Sequence, residues 1–190
     1  MDNITINCHS INLSDEKFFQ LCLDNQNLKF ERNYKGDLII MAPTGGETGN
    51  RNLKLIQQLA IWTDIDETGI AFDSSTGFKL PNGADRSPDA SWIPLEKWNS
   101  LTPQQKIRFL PFAPDFLIEL LSPSDNLQYT RKKMLEYLEN GTKLGWLINR
   151  KTKQVEIYRQ GQEVKILDDP QNISGENILV NFVLDLTQIW

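Results

Sequence analysis

The spacing of apolar positions divides the chain into segments of helical and strand-like pattern. Residues 14–24 (SDEKFFQLCLD) open on a Ser N-cap with acids in the first turn and continue as an apolar stripe, which predicts a helix. Residues 28–33 and 37–42 alternate as two strands around the turn Asn33-Tyr34-Lys35-Gly36. Pro43 and Gly45-Gly46 break the second strand, and Leu55, Leu59 and Trp62 mark a helix from Glu47 to about Ile65, closed by Gly69. Residues 70–80 and 86–93 read as a hairpin across Pro81-Asn82-Gly83. An irregular insertion with a helical turn or two follows over 94–113.

Next comes the most strand-like run, Phe116-Leu-Ile-Glu-Leu-Leu121, apolar on both faces and therefore expected at the centre of a sheet. Residues 127–140 predict an amphipathic helix ending at Asn140-Gly141, with Leu127, Met134, Leu135 and Leu138 as its core stripe. Strands are expected at 144–149, 154–159 and 163–167, the last two joined at Gly161, and a short helix or turn at 185–190. The fold class is α/β (α+β): a mixed sheet with helices against it, read as one domain over residues 1–190.

Composition narrows the chemistry. The 190 residues are 39 % hydrophobic, including nine Phe and five Trp, enough for a packed core. No run approaches 18 apolar residues, so no membrane span is expected. The start, MDNITINCHS, lacks a basic region followed by an apolar stretch and does not read as a signal peptide. Cys8 and Cys22 read as free thiols in a reducing compartment, which points to the cytoplasm. A single His cannot supply a two-His zinc site, and His9, so near the N-terminus, is a poor triad member. Carboxylates and lysines are left to carry any catalysis.

The net charge is −5, which argues against broad coating of nucleic acid, but the charge is uneven. Residues 131–165 carry nine basic and four acidic side chains, between two acidic flanks. That segment is either a local anion site or a solvated helix face followed by exposed strands.

Four residues stand out. Glu119 lies between Ile118 and Leu120, with Leu117 and Leu121 as neighbours on its own face, and a Glu so placed needs a partner or a metal. Asp89 follows Pro88, which implies a sheet that is open or at an edge there; Asp89 is either a turn-former or the partner of Glu119. Two carboxylates on adjacent strand ends make an oxygen site suited to Mg²⁺ or Mn²⁺. Lys133, in Arg131-Lys132-Lys133, borders the core stripe of the next helix and shares a side with Tyr137. It either reaches back over the strand ends or snorkels to solvent, with Lys132 as the alternative. Glu47 opens the first long helix, where an acid also serves the helix dipole.

Taken together, SPDASWI (87–93), PDFLIELLSPSD (114–125), KMLEYLENG (133–141) and GWLINRKTKQVEIYR (145–159) resemble the Uma-type family of restriction endonucleases, within the PD-(D/E)XK nuclease superfamily. GDLIIMAPTGGETGNRN (36–52), GFKLPNG (77–83) and NFVLDLTQIW (181–190) are similar to further parts of that family, so the resemblance spans nearly the whole chain. It implies a restriction-endonuclease-like mixed central sheet flanked by helices. By position it implies that Asp89 and Glu119 are metal ligands and catalytic residues, assisted by the Leu120 carbonyl. The superfamily lysine two residues after the acid is Leu121 here, and the resemblance implies that Lys133 replaces it. Glu47 matches a first-helix acid used by some members as an extra metal ligand.

The function so implied is Mg²⁺- or Mn²⁺-dependent endonuclease cleavage of DNA, with metal-activated water attacking the phosphodiester. Lys133 would orient or deprotonate that water. A homodimer is expected by analogy, with the apolar side chains of 92–112 and Trp190 as contact surfaces. The competing expectation is a nuclease fold kept as a nucleic-acid- or protein-binding module without turnover.

Overall fold

A computed structural model describes residues 4–190; the first three residues of the N-terminal segment lie outside it. In chain order the elements are β1 (Ile4–Ile6), α1 (Asp15–Asp24), β2 (Lys29–Arg32), β3 (Leu38–Met41), α2 (Gly46–Asp66), β4 (Gly69–Asp73), β5 (Phe78–Lys79), β6 (Asp85–Arg86) and β7 (Ala90–Pro94). Then follow α3 (Leu95–Asn99), α4 (Pro103–Lys106), β8 (Phe116–Leu120), α5 (Leu127–Glu139), β9 (Leu144–Asn149), β10 (Gln154–Arg159), β11 (Lys165–Asp168), β12 (Asn172–Ser174) and β13 (Val183–Asp185).

Local chemistry sets the helix ends. The Ser14 hydroxyl accepts from the Lys17 N–H at 3.3 Å and starts α1. The Asn126 side chain accepts from the N–H groups of Gln128 and Tyr129 and starts α5. That helix stops where Gly141 turns to φ 110°, a conformation costly for any residue with a Cβ.

The mixed α/β architecture matches the expectation, but the strands form more than one sheet. The largest has six strands in the order β11-β10-β9-β8-β7-β4. Only β8 and β9 run parallel; the helix α5 makes the crossover between them. A second sheet has the order β1-β3-β2-β6-β5, and β12 pairs with β13. The expected hairpin of 70–80 and 86–93 is thus redistributed. Gly69–Asp73 pairs directly with Ala90–Pro94 in the large sheet, whereas the turn at 81–83 joins the two-residue strands of the second sheet. The sheet is not open at Pro88 either: β7 is an inner strand, and its first ladder residue, Ala90, lies beyond the proline.

Strand β8 is central and buried on both faces, as its sequence requires. One face packs Phe116, Ile118 and Leu120 with Leu55 and Leu59 of α2. The other packs Leu117 and Leu121 with Met134 and Tyr137 of α5. Helix α5 comes so close that a Cβ added at Gly145 would sit 2.7 Å from the Met134 methyl carbon. Leu135, expected in this core, is exposed; the buried face of α5 instead includes the polar residues Thr130, Lys133 and Glu136. Most of the apolar side chains of 92–112 are spent inside the protein, Ile107 being the chief exception, and Trp190 is partly buried with its indole N–H donating to the Pro170 carbonyl. Both cysteines are free. Among the described residues, no helix is long and apolar enough to cross a membrane.

Candidate active site

The site forms at one end of β8. Alternation sends Glu119 to the face covered by α5, and Lys133 and Tyr137, one turn apart on that helix, point onto the strand. Lys133 Nζ lies 2.7 Å from Glu119 Oε1 and 2.8 Å from Glu31 Oε1. The Tyr137 hydroxyl donates to Glu119 Oε1 at 3.3 Å. All four side chains are buried, so these contacts act in a medium that screens charge far less than water does.

Asp89 joins from the neighbouring strand. Because Ala90 pairs with Ile118 in antiparallel register, the residue before Ala90 stands opposite Glu119. The Asp89 carboxylate ends the β7–β8 ladder by accepting the Leu120 N–H on Oδ2 at 2.8 Å. Its Oδ1 accepts from Asn52 Nδ2, on the second turn of α2, at 3.2 Å. The structure therefore brings Asp89, Glu119 and Lys133 to one sheet end.

The second sheet supplies the other half of the charge network. Glu31 Oε1 accepts the Ser87 N–H at 3.0 Å, and Arg86 Nη1 lies 3.0 Å from its Oε2. Arg86 is held in turn by Glu136, with Nη2 2.6 Å from Oε2. Burial by itself would raise the Glu31 carboxyl, but the Lys133 and Arg86 charges reverse this and bring it down to about 2. The same lysine does not suffice for Glu119. Burial, with the Asp89 and Glu31 charges nearby, pushes that carboxyl up to about 7 despite Lys133. Asp89 is also raised by burial, against the opposing effects of Lys29, the Leu120 N–H, Lys133 and Asn52.

Two acids at this sheet end thus lack enough positive charge. An oxygen-only donor pair of this kind could hold Mg²⁺ or Mn²⁺. Lys133 behaves oppositely. Burial would lower its amine, but Glu119 and Glu31 hold the proton on it well above the ordinary lysine value. A lysine so held is a fixed positive charge, which fits orienting or stabilising an anion and does not fit taking a proton from water.

The remaining candidates lie apart. Glu47 is largely exposed and pairs with Arg150 at the end of β9. Among the described residues, no group of three or more His, Cys, Asp or Glu converges as a metal cage, so the set Asp89–Glu119–Glu47 is not assembled. Lys132 faces solvent. The sequence pattern does not single out Glu31, Arg86 or Asn52. The visible hint is that Glu31 and Arg32, two successive charged residues, break the alternation begun by Leu28-Lys29-Phe30; a single residue in a long helix, such as Asn52, carries no such hint.

The architecture is a mixed α/β fold shared with a solved structure. It is similar to the crystal structure titled a "putative nuclease belonging to DUF820" from Anabaena variabilis, with a TM-score of 0.74 and 22 % identity, covering 84 % of this chain and 88 % of that one. A family model matches residues 15–187, and the chain belongs to that family, Uma2, whose description is "Putative restriction endonuclease". No curated protein matches the chain.

Proposed function

We propose that this protein is a divalent-metal-dependent endonuclease that hydrolyses DNA phosphodiesters. The observation that carries the reading is the undercompensated pair at the end of β8. Asp89 and Glu119 both have raised carboxyls, and the buried lysine beside Glu119 is already shared with a second acid. Membership of the Uma2 family supports the same substrate class.

The Asp89 and Glu119 carboxylates, with the Leu120 carbonyl, would hold the cation. A divalent cation bound there supplies Lewis acidity that polarises a phosphodiester and favours ionisation of water. A cation held there would favour the ionised form of Glu119, which burial disfavours. Lys133 keeps its proton and presents a fixed charge to the phosphate, while Glu31 and Arg86 fix its position. Tyr137 steadies the Glu119 carboxylate from the helix side. No covalent intermediate with the chain is required. Homodimerisation is part of the proposal, because one site per protomer cuts one strand of a duplex.

Incubation of supercoiled plasmid with the purified protein and Mg²⁺ or Mn²⁺ tests the reading. Nicked and linear DNA should appear with either metal, vanish with chelator, and be absent for Glu119→Gln and Asp89→Asn. Cleavage persisting in both folded variants would refute the assignment. A wild type that binds DNA but never cuts it under these conditions would favour a binding module.

A further inference from the structure

Asn52 has a feature that its bond to Asp89 leaves unexplained. Its Nδ2 faces the Asp89 carboxylate, and this fixes the amide orientation, since the opposite flip would set oxygen against oxygen. The amide oxygen is then left buried, with no hydrogen-bond donor in reach. A buried acceptor without a partner costs about 1–3 kcal/mol, so such atoms are uncommon unless something else contacts them. This one belongs to a side chain hydrogen-bonded to Asp89, the carboxylate that stands opposite Glu119 and caps the end of the β7–β8 ladder.

We infer that Asn52 is part of the cation site itself: its Oδ1 contributes a third side-chain oxygen to a divalent metal held by Asp89 and Glu119, while its Nδ2 holds Asp89 in place. The inference rests on the metal-dependent reading above and assigns α2 a residue in the site, where Glu47 at the same helix's start turns away to Arg150. A neutral amide oxygen suits the position physically. It adds an oxygen ligand without adding a third negative charge beside two buried carboxylates.

The test is calorimetric titration of the full chain with Mn²⁺ alone, without DNA, paired with thermal melts in Mn²⁺ and in chelator. The wild type should bind Mn²⁺ and melt higher with it. Asn52→Ala should bind roughly tenfold or more weakly and lose most of the Mn²⁺-dependent rise in Tm, while its melt in chelator stays cooperative. Asn52→Asp should melt lower than wild type in chelator but regain or exceed the wild-type Mn²⁺ affinity. A purely structural Asn52 would shift both melts together and leave the Mn²⁺-dependent difference intact. Wild-type affinity in Asn52→Ala, with Glu119→Gln binding nothing, would overturn the role of Asn52 and leave the nuclease reading standing. Absence of Mn²⁺ binding in the wild type itself would overturn both.

Discussion

The two ends of strand β8 carry buried acids in opposite situations. Asp115, just before the strand, is fully buried and held by two amines, Lys97 at 2.6 Å and Lys143 at 2.9 Å. Glu119, four residues on, shares one amine with Glu31 and faces a third acid, Asp89. One strand thus carries an acid with charge to spare around it and an acid short of charge. Burial alone does not separate a structural carboxylate from a functional one; the count of compensating cations does. The same contrast recurs between Glu31 and Glu119, which share Lys133 yet sit at about 2 and about 7, because Glu31 also has Arg86.

The largest effect should come from removing the shared cation. Lys133→Met leaves two buried acids without their common partner and should cost about 3–5 kcal/mol in denaturant unfolding near neutral pH, together with all cleavage. Next, Asp115→Asn should destabilise by about 2–4 kcal/mol while cleavage per folded molecule stays at the wild-type level, because its two lysines serve only the fold. Glu119→Gln should do the reverse. At pH 8 without metal the variant should be as stable as wild type or more so, since it removes a charge the site compensates poorly, and cleavage should disappear.

The pH profile sharpens the same contrast. Glu31 is lowered in the folded state, so its contribution is present above about pH 4.5 and is lost as pH falls towards 2. Glu119 is raised, so the folded chain without metal holds a proton that the unfolded chain has released. That contribution is present below about pH 4.5 and is lost as pH rises through about 7, by about 3 kcal/mol. Stability without metal should therefore decline from pH 5 to 8, and Glu119→Gln should flatten the decline. Mn²⁺ affinity should rise over the same interval as the proton leaves Glu119. The smallest effect is expected at Glu47: Glu47→Gln breaks an exposed pair with Arg150 and should change stability by under about 1 kcal/mol and cleavage little.

Much of this arrangement is legible from local pattern. Glu119 is conspicuous because its neighbours on both faces are apolar, and Lys133 because it borders the buried stripe of the next helix. Helices α2 and α5 lie where spacing and end signals place them. What local pattern lacks is the identity of partners. Alternation tells which face of a strand is buried but not which strand lies beside it, so the split of 70–93 between two sheets was not visible. Strands β1, β12 and β13 are three residues each, too short to show a period. Glu31 and Asn52 meet the site from distant parts of the sequence, and Arg86, three residues before Asp89, acts through Glu31 and Glu136; their charge or polarity has meaning only once β8 and α5 lie beside them. Glu47 misled because an acid is equally at home at a helix start.

The most direct measurement is a crystal structure of the chain soaked in Mn²⁺, read from anomalous difference density. A single peak between the carboxylates of Asp89 and Glu119, with none beside Asp115, is the expected result. Density elsewhere, or none at millimolar Mn²⁺, would contradict a metal-dependent site at the end of β8.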